Sequence, residues 1–480
     1  MFIALDVGTS SIKGLVVDEK GRLIAKTSKN LNIISKKPGW SEQSPSIWWK
    51  ITKEIIKNFS RFNPKAIATT GQMHSLVVLD KEGEELYNAI LWNDQRTKKE
   101  VEYATEKLGG IENILEVLGN PILTGFTLPK LLWIKNNFPE IYAKIAKIML
   151  AKDYINYKLT GKYVTEYSDA SGTAIYNIKS KNWSREIIEE FKINPDILPN
   201  IIRSNEIIGT IKPDVAKELG ISPETIIISG GADNACAALG IGVINEETMV
   251  SLGTSGTVLK PIKVGKPDVS IHLFEHVIPN TMYYMGVMLS ATYSFDWFRK
   301  RFVTEDLEAI NNEIEEVPLG SNGVLFLPYL NGERTPYNDP KAKGILFGLS
   351  SFNSKWDIIK AIYEGVAFGL KDSVELIKKL GVEINKVTIT GGGSNSKIWV
   401  KIIADVIGKD IIYPYVNEGA AYGAAMLAYS GYSGKRLEEI SKNWVNYIKE
   451  IKCDISNSKK YEEIYVKYKK LYIKTKDLLY

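Results

Sequence analysis

The sequence predicts an α/β protein made of two similarly built halves that flank a cleft. Three observations carry that expectation. Apolar, β-branched runs alternate along the chain with stretches of helical spacing. The segment Asp6-Val7-Gly8-Thr9-Ser10 returns close to half a chain later as Ser251-Leu252-Gly253-Thr254-Ser255, each copy flanked on both sides by an apolar run. A length of 480 residues, 44% hydrophobic and 24% charged, allows two or more large cores and has the composition of an ordinary soluble protein.

The elements follow in chain order. Phe2-Ile3-Ala4-Leu5 reads as a buried strand, Gly8-Thr9-Ser10-Ser11 as a tight turn, and Ile12-Lys13-Gly14-Leu15-Val16-Val17 as the returning strand. Residues 45–59 have helical spacing, 66–70 and 76–80 read as strands, and helices dominate from about 97 to 159, where Leu131, Leu132, Ile141, Ile145 and Ile148 recur at helical intervals. Ile226-Ile227-Ile228-Ser229 leads into Gly230-Gly231-Ala232-Asp233-Asn234, and the small residues that follow suit a tightly packed helix. The boundary between the halves falls between Gly240 and Glu246, giving one domain over 1–243 and a second over 244–480. In the second half a strand over 323–328 runs into a polar Gly/Pro loop through Asn331-Gly332-Glu333-Arg334-Thr335-Pro336. A helix over 356–380 follows, and then a strand, Gly391-Gly392-Gly393, and a helix from about Ser396, an arrangement suited to a ligand. Residues 459–480 form an amphipathic helix whose apolar stripe packs on the body.

Composition excludes several functions. The net charge is +5 and the basic residues are scattered, so no nucleic acid partner is implied, and a small anionic ligand suffices. Two cysteines, Cys236 and Cys453, with no CxxC pair, argue against a disulfide framework and a thiolate metal site, and point to a reducing, cytoplasmic compartment. The opening residues carry no basic leader and meet Asp6 at once, and no apolar run approaches the roughly 20 residues that a bilayer demands, so no membrane association is expected.

The chain has neither a GxxxxGK[ST] loop nor a GxGxxG fingerprint, so any nucleotide is held another way. Turns rich in Gly, Thr and Ser offer closely spaced backbone N–H groups and hydroxyls to phosphate oxygens, and the repeat supplies two of them. Asp6 ends an apolar strand, where a buried carboxylate needs a cation or hydrogen bonds; Mg²⁺ and a self-capped turn both answer that need. Asp233 stands at a helix start beside the boundary, as a general base or as a plain N-cap. His74, in Gly71-Gln72-Met73-His74-Ser75, and the cluster Trp92-Asn93-Asp94-Gln95-Arg96 suit a polyol. His272-Leu273-Phe274-Glu275-His276 matches the H-x-x-E-H zinc pattern, but that pattern needs a helix and this segment alternates as a strand, which sets the two histidines about 13 Å apart.

Taken together, Asp6 to Ser11, Gly71 to His74, Ile90 to Arg96, Gly231 to Asn234, Ser251 to Gly256, Phe326 to Tyr329 and Gly391 to Gly393 resemble the FGGY carbohydrate kinases, in order over nearly the whole chain. The resemblance implies two ribonuclease-H-like domains of the actin and sugar-kinase type around a central cleft. It also implies ATP- and Mg²⁺-dependent transfer of a γ-phosphoryl group to the terminal hydroxyl of a ketopentose. Asp233 would be the catalytic base. Asp6 would lie near metal and phosphates, and these two aspartates would serve the Mg²⁺. Met73, His74, Asn234, Trp92 and Asn93 would meet the sugar. Thr9, Ser10, Lys13, Gly253 and Thr254 would face the phosphates, with Gly392, Gly393 and Asn395 on the adenosine side. The implied partner is a small sugar, and a homodimer stays open. Ser75-Leu76 after the histidine departs toward the gluconate-acting branch, whereas Gln72, Trp40-Ser41-Glu42-Gln43 and Trp92-Asn93-Asp94 pull back toward pentuloses. Because phosphoryl transfer proceeds through a loose transition state, Asp233 is expected to work with a near-normal pKa. An actin- or chaperone-like ATP switch is the alternative of another class, disfavoured because no separate peptide-binding unit follows.

Overall fold

The computed structural model describes residues 1–478. The first half is built on a six-stranded sheet. Its strands are β1 (Phe2–Val7), β2 (Ser11–Val17), β3 (Leu23–Asn30), β4 (Ala66–Gly71), β5 (Ile207–Thr210) and β6 (Ile226–Ala232), in the order β5-β6-β4-β1-β2-β3. β1 runs antiparallel to β2 and parallel to β4, β4 is parallel to β6, and β5 is antiparallel to β6. The apolar run of β1 is buried on both faces, as a central strand with helices on either side requires. β3 lies at the edge and is partly or fully exposed along its length, which its Lys and Ser residues permit.

The second sheet repeats the plan with β7 (Glu247–Leu252), β8 (Gly256–Ile262), β9 (His272–Glu275), β10 (Met282–Met288), β11 (Lys386–Thr390), β12 (Ile411–Pro414) and β13 (Tyr447–Ile451), in the order β9-β10-β8-β7-β11-β12-β13. Leaving out β9, each strand has a counterpart in the first sheet with the same neighbours and direction, but the chain enters the outer pair in the opposite order: β5 precedes β6, whereas β13 follows β12. The repeated Gly-Thr-Ser turns thus join the equivalent hairpins β1–β2 and β7–β8. The halves differ in what is inserted: residues 72–206 between β4 and β5 in the first, and residues 289–354 after β10 in the second.

Helices are α1 (Pro45–Phe59), α2 (Thr127–Asn137), α3 (Ala151–Thr160), α4 (Asp233–Gly240), α5 (Thr292–Phe302), α6 (Lys355–Lys379), α7 (Lys397–Ile407), α8 (Gly419–Ser433), α9 (Leu437–Trp444) and α10 (Ile455–Thr475), besides shorter ones. α1 starts with proline in its first turn and buries Trp48, Thr52, Ile55, Ile56 and Phe59 at helical spacing. Ser354 and Asp357 form a reciprocal capping box that starts α6. The helical interval that reaches Ile148 is broken, because Lys147–Met149 is a strand paired with Val77–Leu79. The C-terminal stripe Tyr461, Tyr465, Tyr468, Leu471 and Tyr472 is buried in the second-half core, so the body covers it. Leu479 and Tyr480, the end of that expected helix, lie outside the described residues.

One feature of the packing was not expected. α8 and α9 follow β12 in the chain, yet their Ala421, Tyr422, Met426, Leu437 and Trp444 belong to a core shared with the first sheet. α8 reaches it by lying directly on α4: a Cβ at Gly423 would sit 1.9 Å from the Cys236 carbonyl oxygen, and one at Gly240 would sit 2.5 Å from the Gly419 oxygen. Only glycine lets the two backbones approach so closely.

Candidate active site

Asp6 lies in register with Lys13 of β2 and Thr70 of β4, and Thr70 pairs with Gly231 of β6. Two residues past Gly231, Asp233 opens α4 at the same end of the sheet. The register shifts between Ile228 and Gly231, and Gly230 takes up the irregularity at φ +80°, where a Cβ would fall 1.6 Å from the Thr69 oxygen. Asp233 is thereby aimed into the cleft beside Asp6. Burial pushes the Asp233 carboxyl up to about 7, the negative charge of Asp6 adds to that, and hydrogen bonds from the Asn234 backbone N–H (2.7 Å) and amide (2.8 Å) oppose it. Asp6 is pushed up to about 6 by burial, moderated by Lys13. A near-normal pKa for Asp233 is therefore corrected: burial and a like charge from a distant part of the chain raise it.

The Asp233 N-cap reading is also corrected. Ala232 is the N-cap, and the Asp233 carboxylate is held by Asn234 instead of by the following turn. No donor among the described residues hydrogen-bonds the Asp6 carboxylate. Two acids at one strand end, one without a protein donor, fit a hard cation that takes one or two carboxylates and fills its remaining positions with phosphate and water.

After β4, His74 adopts φ +66°. Its carbonyl accepts hydrogen bonds from Thr127 Oγ1 (3.1 Å) and Lys130 Nζ (2.9 Å), its Nδ1 meets the Gly172 oxygen at 2.6 Å, and its ring stacks on Phe126 at 4.5 Å. Burial first, and then the Lys130 charge, hold the His74 pKa well below its usual value, so the ring is neutral. The Tyr283 hydroxyl faces Met73 Sδ at 3.9 Å. Trp92 Nε1 donates to Thr9 Oγ1 (2.9 Å), Thr9 donates on to Gln72 (3.2 Å), and Gln43 grips the Thr9 carbonyl (2.7 Å). The first turn is thus tied to Trp92, Gln72 and Gln43. Asn93 buries an oxygen, Oδ1, that has no hydrogen-bond partner. Ser10 is exposed, and its carbonyl accepts from the Leu31 N–H.

On the other side of the cleft, the second turn is fastened to α5: Ala291 N–H donates to the Thr254 oxygen (2.9 Å) and Thr292 N–H to the Gly253 oxygen (3.0 Å). Gly253, Thr254, Gly392, Gly393 and Asn395 line one cavity of ≈ 580 Å³, with Tyr363 and Trp399 stacked 3.9 Å apart in its wall. Lys13 stands apart from this cavity, paired with Glu418 at 3.3 Å.

Residues without a motif complete the site. Lys152 is fully buried, 2.5 Å from Asp153, 3.2 Å from Asp169 and 3.8 Å from Glu166. Burial works against its charge, but the three carboxylates together keep it protonated. Glu166 receives hydrogen bonds from Ser168 Oγ (2.7 Å) and Ser204 Oγ (2.6 Å), and Ser168 in turn receives the Ala232 N–H (2.9 Å), so the backbone beside Asp233 hangs from this network. His272 lies on β9 as expected and bonds Asn120 at 3.2 Å. Among the described residues no group of three His, Cys, Asp or Glu side chains is placed to hold a metal ion.

Twin hairpins of one topology, a pair of half-buried acids at one strand end and an open cavity behind the second turn define a two-lobed phosphotransferase. Comparison with known proteins gives it a family. The FGGY carbohydrate kinase models match residues 1–240 (N-terminal domain) and 248–432 (C-terminal domain). Xylulose kinase of Bacillus subtilis (strain 168) is 38% identical, over 99% of this chain and 97% of that protein. Among solved structures, a gluconate kinase from Lactobacillus acidophilus superposes with a TM-score of 0.94 at 29% identity, covering 99% of this chain and 98% of the other. A ligand-bound xylulose kinase from the same organism gives 0.93 at 29%, with the same coverage. The chain belongs to the FGGY family of carbohydrate kinases, and is a sugar kinase that uses ATP as phosphate donor on a small-molecule sugar. No helix among the described residues is long and apolar enough to cross a membrane.

Proposed function

We propose that this kinase phosphorylates the terminal hydroxyl of D-xylulose, giving D-xylulose 5-phosphate, in the cytoplasm. The observation that carries the reading is Asp233 at the cleft end of the first sheet, with a raised pKa and Met73-His74 on the adjoining strand end. Relatives named xylulose kinase over nearly the full chain support the choice of sugar. The sugar-side domain spans 1–243 and the nucleotide-side domain 244–480.

In this reading Asp233 accepts the proton of the attacking hydroxyl. A carboxylate near pKa 7 is matched to that task at neutral pH, and Asn234 keeps it from rotating away. Met73, His74, Trp92 and Asn93 orient the sugar; the neutral His74 ring can both donate and accept. The turns carrying Thr9 and Ser10, and Gly253 and Thr254, present backbone N–H groups to the phosphates, Gly392, Gly393 and Asn395 hold the adenosine side, and Lys13 lends positive charge near Asp6. Asp6 and Asp233 would hold Mg²⁺, which supplies charge neutralisation at the transferring phosphoryl group.

The test is ADP release measured with D-xylulose, ribulose, gluconate, glycerol and erythritol. D-xylulose is expected to give the highest kcat/KM. A higher value for gluconate would reassign the substrate, and ADP release indifferent to every sugar would favour the ATP-switch alternative.

A further inference from the structure

Arg334 belongs to the second half, in the polar loop after β10, yet its charged group lies against the first half. Its Nη2 would stand 3.7 Å from a Cβ built on Gly125, the same Cβ that would strike the Trp92 carbonyl oxygen at 2.2 Å. Its charge bears on His74 and on His272, making both harder to protonate. The guanidinium therefore lies near the Trp92 carbonyl, and its charge reaches His74.

No side chain or carbonyl among the described residues accepts a hydrogen bond from that guanidinium. The adjacent carboxylate, Glu333, is turned elsewhere: its Oε1 receives the Leu289 N–H (3.1 Å) and the backbone N–H of Arg334 itself (2.8 Å). The loop is not free to swing the charge away. Thr335 N–H donates to the Val287 oxygen (3.0 Å), Thr335 Oγ1 receives the Val287 N–H (3.0 Å) and donates to the Ser270 oxygen (3.1 Å), and Glu333 and Asp339 exchange backbone hydrogen bonds at 2.8 Å. A guanidinium carries five N–H donors, and removing it from water without acceptors is costly. Here it is fixed in place, half-buried, with Nη2 near Gly125 and the Trp92 carbonyl.

Resting on the ketose-kinase reading, we propose that Arg334 is a specificity-determining residue: its guanidinium fork donates to the carbonyl oxygen and neighbouring hydroxyl at the end of the ketose remote from the hydroxyl served by Asp233. A carbonyl and an adjacent hydroxyl present two acceptor oxygens to a planar pair of donors, which a lysine ammonium cannot match in shape. Asp233 bears on Tyr283, whose hydroxyl meets Met73, whereas Arg334 bears on His74, so Met73-His74 links the two ends. The residue also makes the sugar site a product of both halves.

The test compares wild type, Arg334→Met and Arg334→Lys on D-xylulose and on xylitol, which lacks the carbonyl, together with D-xylulose binding read by tryptophan fluorescence without ATP. Arg334→Met is expected to raise the KM and Kd for D-xylulose about 30-fold, to leave the ATP KM within about twofold, and to cut the preference for D-xylulose over xylitol at least about tenfold. Arg334→Lys recovers part of the affinity and little of the preference; it carries the test alone should the methionine variant not fold. Sugar KM, Kd and preference all within about twofold of wild type, or ATP and sugar KM rising equally, overturns the assignment of Arg334. Wild-type enzyme inactive on every ketose overturns the ketose reading, and Arg334's role with it.

Discussion

The two sheets share strand neighbours and directions and a pair of Gly-Thr-Ser hairpins, but differ in the acids at their cleft ends. Where β1 has Asp6, the equivalent position on β7 is Ser251, paired with Thr257 and Thr390. Where α4 begins with Asp233, α8 follows Glu418, whose carboxylate is already taken by Lys13 and Lys26 at 3.3 and 2.7 Å. In the proposed reading the same scaffold hosts reactive groups in one half and a binding cavity in the other. Topology supplied the placement of strand ends, and a few side chains divided the labour.

The largest expected effect is a direct test of that asymmetry. Asp233→Asn should lower kcat by about 10³-fold, on the order of 4 kcal/mol of barrier, with folding intact, whereas Glu418→Gln should cost less than about tenfold. Equal losses would mean that the halves share the chemistry. Next, Gly393→Val should fill the cavity behind the second turn, where a Cβ already falls 2.5 Å from Leu252 Cγ, and, if that cavity takes the nucleotide as proposed, raise the ATP KM about 30-fold with the sugar KM nearly unchanged. His74→Ala should do the reverse. Steady-state kinetics with each substrate varied decides whether the lobes are separable in this way.

A smaller effect probes the joint between them. Gly423→Ala gains up to about 1 kcal/mol in helix propensity but drives a methyl into the Cys236 carbonyl, and the clash should win, for a net loss of about 2 kcal/mol in urea denaturation. An unchanged midpoint would show that α4 and α8 are not in backbone contact. The smallest concerns the second half's histidines. Burial pushes His272 and His276 down to about 3, so both fold neutral while the unfolded chain takes up protons near pH 6.5. Their contribution is complete above that pH and fades as pH falls toward 3, by up to about 1.4 kcal/mol per pH unit for each. His276→Gln should therefore flatten the decline in stability between pH 6 and pH 5; an identical slope would mean that His276 already carries its proton when folded.

What could be read from the sequence follows from what acts locally. The twin turns were legible because a Gly-Thr-Ser link between apolar runs fixes a hairpin without help from elsewhere. Asp6 and Asp233 stood out in the sequence, yet each kept a structural reading there, a self-capped turn and a plain N-cap, and it is the fold that brings the two acids to one sheet end and takes the N-cap from Asp233. The raised pKa of Asp233 was hidden, since its second cause, Asp6, is far away in the chain. Lys130 and Lys152 were hidden as well. A lysine in a helix reads as surface, and only the fold brings the His74 and Gly125 carbonyls to one and three carboxylates to the other. The crossing of α8 onto the first sheet left no local signature, because small residues on a helix do not say which neighbour they were made to fit.

The Thr9 hydroxyl is committed to two sugar-side partners, receiving from the Trp92 indole and donating to Gln72. An incoming phosphate that claims that hydroxyl has to loosen one of those bonds, and so must disturb the wall against which the acceptor rests. Order of arrival at the two chambers should therefore leave a trace: an indole signal that answers nucleotide alone, before any carbohydrate is added.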